Sequence, residues 1–255
     1  MRAVLATARA ARGEALANRG AFWLQVTAMV VNDLAWVAFW FIFFDRVQSV
    51  RGWDADRVML LFAVACTAAG LVLGLLANAR RIGEMATEGG LDAVLSLPVS
   101  PLPYLLARRV EVVHLGDVAF GIVLFLVAGH PTVERTALFV ATTAAGVVVL
   151  AGFMVALGSL AFFTGRGEDA DTGLHAMLIF ATYPADVFTG APKAVLYSLV
   201  PAAFVSAVPA GLIDDFDLAT AATLVGVAAF FAFLGWATFT LGLRRYTSGA
   251  TWTRA

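Results

Sequence analysis

Five apolar runs of span length, at about 22–44, 58–78, 111–128, 136–163 and 218–243, constrain this chain more than any motif does. Crossing the hydrocarbon of a bilayer takes about 20 apolar residues in a helix. Lipid offers no hydrogen bonds, so such segments must satisfy their backbone internally, and a run of this length does so as a helix. Composition agrees: 61% of the 255 residues are hydrophobic and 14% charged, with mean hydropathy +0.86. A soluble domain is nearer half apolar and a quarter charged. The expected fold is an all-α polytopic membrane protein, with 1–255 as a single transmembrane domain. A net charge of −1 identifies no partner, and the single cysteine, Cys66, excludes an intrachain disulfide.

The stretch 172–213 is ambiguous, since it reads either as one span plus a returning segment or as two spans. Basic residues cluster on cytoplasmic loops, and this decides between the two. Six spans with both termini cytoplasmic place 12 of the 17 basic residues inside, including Arg80, Arg81, Arg108, Arg109, Arg244 and Arg245. Seven spans give 9 against 8 and lose the bias. Residues 191–213 also carry Pro201 and Pro209, which remove backbone donors and disfavour a lipid-facing helix. The expected spans are therefore 22–44, 58–78, 111–128, 136–163, 172–190 and 218–243. An external re-entrant or interfacial segment at about 191–213, carrying Pro201 and Pro209, lies before the last of them.

Residues 1–21 place Leu5, Ala8, Arg9, Arg12, Leu16 and Arg19 at helical spacing. They fit a basic amphipathic helix on the cytoplasmic membrane surface; a merely topogenic basic tail is the alternative. The apolar run that follows is too long for the core of a signal peptide and no cleavage site follows it, so it reads as a retained first span. Trp23, Trp40, Trp53 and Trp252 fall near span ends, as an interfacial belt does.

No catalytic motif survives inspection. A phosphate-binding loop needs a lysine after glycine followed by Ser or Thr, and the only lysine, Lys193, lies between Pro192 and Ala194. Ser159 and His175 are the candidates for an intramembrane protease. Yet Ser159 lacks a G-x-S-x-G context and has ordinary back-bonding open to it. Glu111 and His114 form one E-x-x-H, where a di-iron bundle needs two and further carboxylates. Gly70 and Gly74 form a G-x-x-x-G that permits close helix approach without naming the partner helix. Asp33, beside Asn32 in the first span, and Asp117 in the third are costly in a bilayer. They read either as a cation or proton site, as lining of a translocation path, or as hydrogen-bonded helix contacts.

Between the second and third spans lies EGGLDAVLSLPVSP, Glu88 to Pro101, within a linker bounded by Arg80-Arg81 and Arg108-Arg109. Leu91, Val94 and Leu95 stand at i, i+3 and i+4, which predicts a short helix. Gly89-Gly90 precede it, and Pro98, Pro101 and Pro103 stop it. An ordinary interfacial loop carries the same pattern, and periodicity does not separate the two.

With its six spans, its basic first 21 residues, GLDAVLSLPVSPLPYLLARR in the first cytoplasmic loop and the proline-marked segment before the last span, the chain resembles ABC-2 exporter permeases. These are the membrane subunits of ATP-binding-cassette exporters, here of the bacterial type with a separately encoded ATPase. The resemblance implies a non-catalytic permease that forms a pathway with a second permease, a different chain rather than a second copy. It places ATP and magnesium on the partner ATPase, with no cofactor in this chain and no nucleic acid partner. It assigns coupling to Glu88, Gly89, Gly90, Leu91, Asp92, Leu95 and Pro98, and it implies that the external segment 191–213, with Pro201 and Pro209, caps the pathway; Asn32, Asp33 and Asp117 are the candidates for its polar lining. It implies a multi-pass protein of the bacterial cell membrane, in contact with membrane lipid. The rival reading is a proton-coupled secondary transporter or channel using Asp33 and Asp117, although no internal repeat of the kind common in such carriers is visible.

Overall fold

The computed structural model describes residues 19–167 and 169–247. Among these the backbone is helical apart from turns and one isolated antiparallel bridge, Val50 to Trp53. Twelve helices are named α1 Arg19–Arg46, α2 Ala55–Leu75, α3 Ile82–Thr87, α4 Asp92–Leu95, α5 Pro101–Ala107 and α6 Leu115–Ala128, then α7 Val133–Ser159, α8 Ala161–Thr164, α9 Asp169–Ala181, α10 Ala191–Leu196, α11 Ala207–Asp214 and α12 Leu218–Leu243.

Four helices are long and apolar enough to cross a membrane: α1, α2, α7 continued through α8, and α12. Three of them start at short polar side chains that satisfy free amides. The Asp54 carboxylate accepts from the Arg57 amide before α2, Thr132 Oγ1 from the Arg135 amide before α7, and Asp217 from the Thr220 amide before α12. The third passage is bent: α5 and the pair formed by the 3-10 turn Val112–His114 and α6 meet at 74°.

Helix α2 is the axis of the bundle, with most of its side chains buried. It packs on α6 through glycines. A Cβ at Gly70 would come 2.7 Å from the His114 carbonyl oxygen and the Val118 amide, one at Gly74 2.9 Å from Leu115, and one at Gly121 2.6 Å from the Ala63 carbonyl oxygen. The partner that the G-x-x-x-G left open is the third passage. Helices α7 and α12 cross in the same way, with Gly235 against the Gly152 carbonyl oxygen. Helix association in lipid gains little from apolar burial, so small residues that let backbones approach supply the packing. By contrast α1 is peripheral, and of its side chains only Asp33 and Trp40 are buried.

The expected fifth span, 172–190, is not a continuous helix. Helix α9 ends at Ala181 after 13 residues, about 20 Å of rise. Proline disfavours helical geometry at the preceding residue, and Pro184 follows Tyr183. The Ala181 carbonyl, freed at that end, accepts a 2.6 Å hydrogen bond from the buried Ser206 hydroxyl. The segment 191–213 is broken, as its prolines predict, into α10, a 3-10 turn Ala202–Phe204 and α11. From Pro201 on it is well buried, with Ala203, Phe204, Val205, Ala210, Leu212 and Ile213 all inside the protein. Pro201 precedes the 3-10 turn, and Pro209 lies in the first turn of α11, where an amide has no helical acceptor to lose.

The amphipathic helix expected over 1–21 falls largely outside the described residues; Arg19, Gly20 and Ala21 are the first turn of α1. Polar contacts sort into two ends of the bundle. One end, called the loop end, holds residues 76–114 and the close of α12. The opposite end joins the loops after α1 and α6 to the segment before α12.

Candidate functional site

At the loop end the linker folds into a fixed platform. After α2 a 3-10 turn, Ala77–Arg81, turns the chain. The Asn78 amide donates to the Leu105 carbonyl at 2.8 Å, which ties α5 beneath it. The Arg81 guanidinium grips both Glu84 oxygens, at 2.9 and 3.0 Å. This holds the Glu84 carboxyl below its ordinary value. Gly83 meets the backbone of Gly167, so the loop between α8 and α9 packs directly on α3.

Gly89 then reverses the chain at φ +80°, a conformation open to glycine at little cost. The predicted helix follows as a single turn, α4, with the Leu95 amide bonded to the Leu91 carbonyl at 2.9 Å. Its stripe is divided. Leu91 and Val94 are 1% exposed and lie in the core with Leu105. Leu95 points outward at 39% exposure, alongside Leu97 and Val99. Glu88, Gly90, Asp92 and Pro98 are exposed too. Pro98 follows the end of α4, whereas Pro101 and Pro103 open α5 instead of only stopping the helix before it.

The structure adds residues that the sequence pattern does not indicate. Tyr246, just beyond α12, donates its hydroxyl to Asp92 Oδ1 at 2.8 Å. Beside it Arg245 stacks over the Phe163 ring at 5.0 Å. Tyr246, Arg245 and Phe163, with Thr87, Phe162 and Gly165, line a cavity of about 360 Å³. The α3–α4 corner, the α8 turn and the close of α12 thus form one composite surface. Leu97 and Val99 lie off the helical stripe, and Tyr246 is adjacent only through the fold.

At the opposite end, Asp186 collects the Lys193 ammonium at 2.7 Å, the Trp53 indole at 3.4 Å and, through its carbonyl, Arg51 at 3.2 Å. Asp214 faces Arg57 and Arg135, each at 3.5 Å. The segment 184–217 is thereby pinned to the starts of α2 and α7. Pro201 and Pro209 shape this segment without lining the 290 Å³ cavity above it, which Trp53, Arg57, Tyr197 and Asp217 border.

Within the span region, Asp33 is 7% exposed and accepts only a 3.4 Å bond from its neighbour Asn32. Asp117 is on α6, 3.2 Å from His114 Nδ1. His114 Nε2 is 3.7 Å from Glu111, which also holds Arg109 at 3.0 Å and Arg80 at 3.6 Å. The E-x-x-H is thus part of an ion-pair network. Among the described residues no group of three or more His, Cys, Asp or Glu could hold a metal ion. Ser159 is fully buried and donates to the Val155 carbonyl at 2.6 Å, the back-bonding that its position predicts.

A sequence model of the family described as ABC-2 family transporter protein matches residues 30–250. No curated protein and no solved structure matches the chain.

Proposed function

Because the chain belongs to the ABC-2 family of transporters, a multi-pass membrane subunit of an ABC transporter without catalysis of its own, we propose that it is the permease of an ATP-driven exporter. Separately encoded ATPase subunits, holding the ATP and magnesium, dock on its loop end. A second permease, of different sequence, completes the pathway. The loop end is cytoplasmic, as the concentration of arginine there favours. The chain crosses the membrane of a bacterial cell six times, with the bent α5–α6 passage and the α9 passage completing the four long helices.

The observation that carries this reading is the divided face of α4. Leu91 and Val94 anchor the turn in the core while Leu95, Leu97 and Val99 project apolar surface beside Asp92. An exposed apolar patch with a polar rim is the ordinary sign of a protein contact. The anchor makes it a lever: a force on a turn fixed at Gly89 and through Leu105 passes to α2 and α6, whereas a loose loop would absorb it. Asn32, Asp33 and Asp117 serve as polar lining of the path. The pinned segment around Pro201 and Pro209 caps its outer end. The mostly apolar surroundings suit a lipid-like, peptide or amphipathic cargo over a small ion.

Co-expression of the chain with the ATPase encoded beside it, followed by affinity capture from detergent, tests the reading. Stable co-purification that is lost when Leu95 and Leu97 are both changed to Asp supports it. Undiminished assembly in that variant removes the coupling role.

A further inference from the structure

The loop between α1 and α2 contains a tight two-residue turn. It is closed by the Val50 amide on the Trp53 carbonyl at 2.9 Å and the Trp53 amide on the Val50 carbonyl at 3.0 Å. Both central residues are left-handed, Arg51 at φ +52° and Gly52 at φ +83°. A turn of this kind favours Asn, Asp or Gly at its first central position, and a bulkier residue there is held against backbone strain. What arginine brings to the position is its side chain. Arg51 is exposed, and among the described residues its guanidinium makes one hydrogen bond, to the Asp186 carbonyl at 3.2 Å. Arg57 is tied to the same turn through its Nη1, which donates to the Gly52 carbonyl at 3.0 Å.

These two guanidiniums border the cavity of about 290 Å³ at this end of the bundle, and Asp215, Asp217 and Thr220 border it from the chain entering α12. Asp217 is occupied as the cap of α12, accepting from the Thr220 amide and hydroxyl at 2.7 Å each. Asp215 is exposed, and its carboxylate has no partner among the described residues. One cavity therefore offers unspent cationic donors from the turn and an unspent carboxylate from the opposite segment. Neither a lone anion nor a lone cation satisfies both, whereas a molecule carrying a phosphate and an ammonium does. The arginine fork matches phosphate oxygens, and a primary ammonium supplies donors to Asp215. A quaternary ammonium fits less well. It donates no hydrogen bond and relies on open aromatic faces, but Trp53 is buried with Arg57 over its ring at 5.2 Å, and Lys193 lies over the Tyr197 ring at 5.7 Å.

Apolar surface continues from the cavity. Phe216 and Leu218, chain neighbours of the two aspartates, are exposed, and so is Val225, two turns beyond Leu218 on the same face of α12. Since α12 is long and apolar enough to cross a membrane, this face is a track for acyl chains that begins at the polar site.

We propose that the cavity holds the headgroup of a phosphatidylethanolamine-type lipid, its phosphate on Arg51 beside Arg57, its ammonium on Asp215 and its chains along α12. The bound headgroup bridges the α1–α2 turn to the segment before α12. The inference rests on the multi-pass membrane fold and not on the exporter reading, because lipid binding is measured on this chain alone.

The test titrates the full chain in maltoside micelles with dioleoyl phosphatidylethanolamine, phosphatidylcholine and phosphatidylglycerol, with lipid-bound protein counted by native mass spectrometry. The ethanolamine lipid is expected to bind more tightly than either of the others. Arg51→Asn and Asp215→Asn are each expected to weaken it about tenfold, as loss of one charge-assisted hydrogen bond does. Asparagine suits the turn better than arginine, so an unchanged melting temperature without lipid separates lost binding from misfolding. Soluble glycerophosphoethanolamine distinguishes a lipid from a free solute and is expected to compete only weakly. Equal binding of the three lipids, ethanolamine selectivity retained in both variants, or glycerophosphoethanolamine bound as tightly as the lipid overturns the proposal. Failure of the chain to bind an ATPase would leave these results untouched, so the two readings fail separately.

Discussion

Tyr246 donates a 2.8 Å hydrogen bond to Asp92 across 154 residues of sequence, and so joins the close of the last long helix to the turn that carries the exposed leucines. The pair lies at the surface, so its net contribution to stability is about 0.5 kcal/mol, at the low end for a hydrogen bond. Its importance is mechanical. Tyr246→Phe is expected to leave the melting temperature within a degree or two of wild type and ATPase binding intact, while lowering ATP-driven transport several-fold. Asp92→Asn keeps an acceptor and is expected to lose less. Transport in proteoliposomes, measured for both single variants and the double, checks this; additive losses would show that the two groups do not act as a unit.

Backbone contact at glycine makes the α2–α6 seam intolerant of added volume. Gly121→Ala places a methyl against Thr67 and the Ala63 carbonyl, and overpacking of this kind costs about 1–3 kcal/mol. Gly226→Ala on α12 meets nothing within 4 Å and is expected to leave thermal stability unchanged or slightly higher. Thermal unfolding of the two variants in the same detergent checks the contrast.

The Arg81–Glu84 fork gives the loop end an acid limit. Glu84 is held below its usual pKa of 4.5, chiefly by the hydrogen bonds from Arg81. A carboxyl lowered on folding contributes stability that is complete above its unfolded value and disappears as pH falls through the lowered one. Protection of the backbone amides over 82–87, taken relative to the intrinsic exchange rate at each pH, is therefore expected to fall on acidification below the usual carboxyl value, and Glu84→Gln is expected to remove that pH dependence of protection. Because the carboxylate is nearly half exposed, solvent screens the pair and the effect is local.

At the opposite end the Asp186 cluster is expected to restrain the broken segment before α12. Asp186→Asn keeps an acceptor but removes the negative charge, and so weakens the hydrogen bond and the attraction that raise the Lys193 pKa. It is expected to free residues 184–200 for faster protease cleavage while leaving the rest of the bundle intact. Limited proteolysis followed by mass mapping checks it; cleavage unchanged over 184–200 would show that the cluster does not hold the segment.

How much of this was legible in the sequence follows the kind of force involved. Long apolar runs announce themselves, because lipid leaves a helix as the only solution, and α1, α2, α7 and α12 lie where the runs do. The end of α9 was less legible: the run continues to 190, but Pro184 and a hydroxyl from Ser206 close the helix at Ala181. Periodicity found α4 but assigned its three apolar residues to one stripe. A helix of one turn has both faces within reach of the core, and packing against Leu105 chose Leu91 and Val94. Tyr246 carried no local sign at all, since its value comes from a neighbour far away in sequence.

Site-specific photo-crosslinking tests the central claim most directly, that the exposed leucine edge of α4 is where an ATPase subunit grips. A photoreactive phenylalanine analogue is placed at Leu95 and, as control, at Leu199, which is 73% exposed at the opposite end of the bundle. On irradiation of the co-expressed complex, an ATPase adduct is expected from Leu95 and none from Leu199. An adduct from Leu199 alone, or a stable complex in which Leu95 forms no adduct with the ATPase, would contradict it.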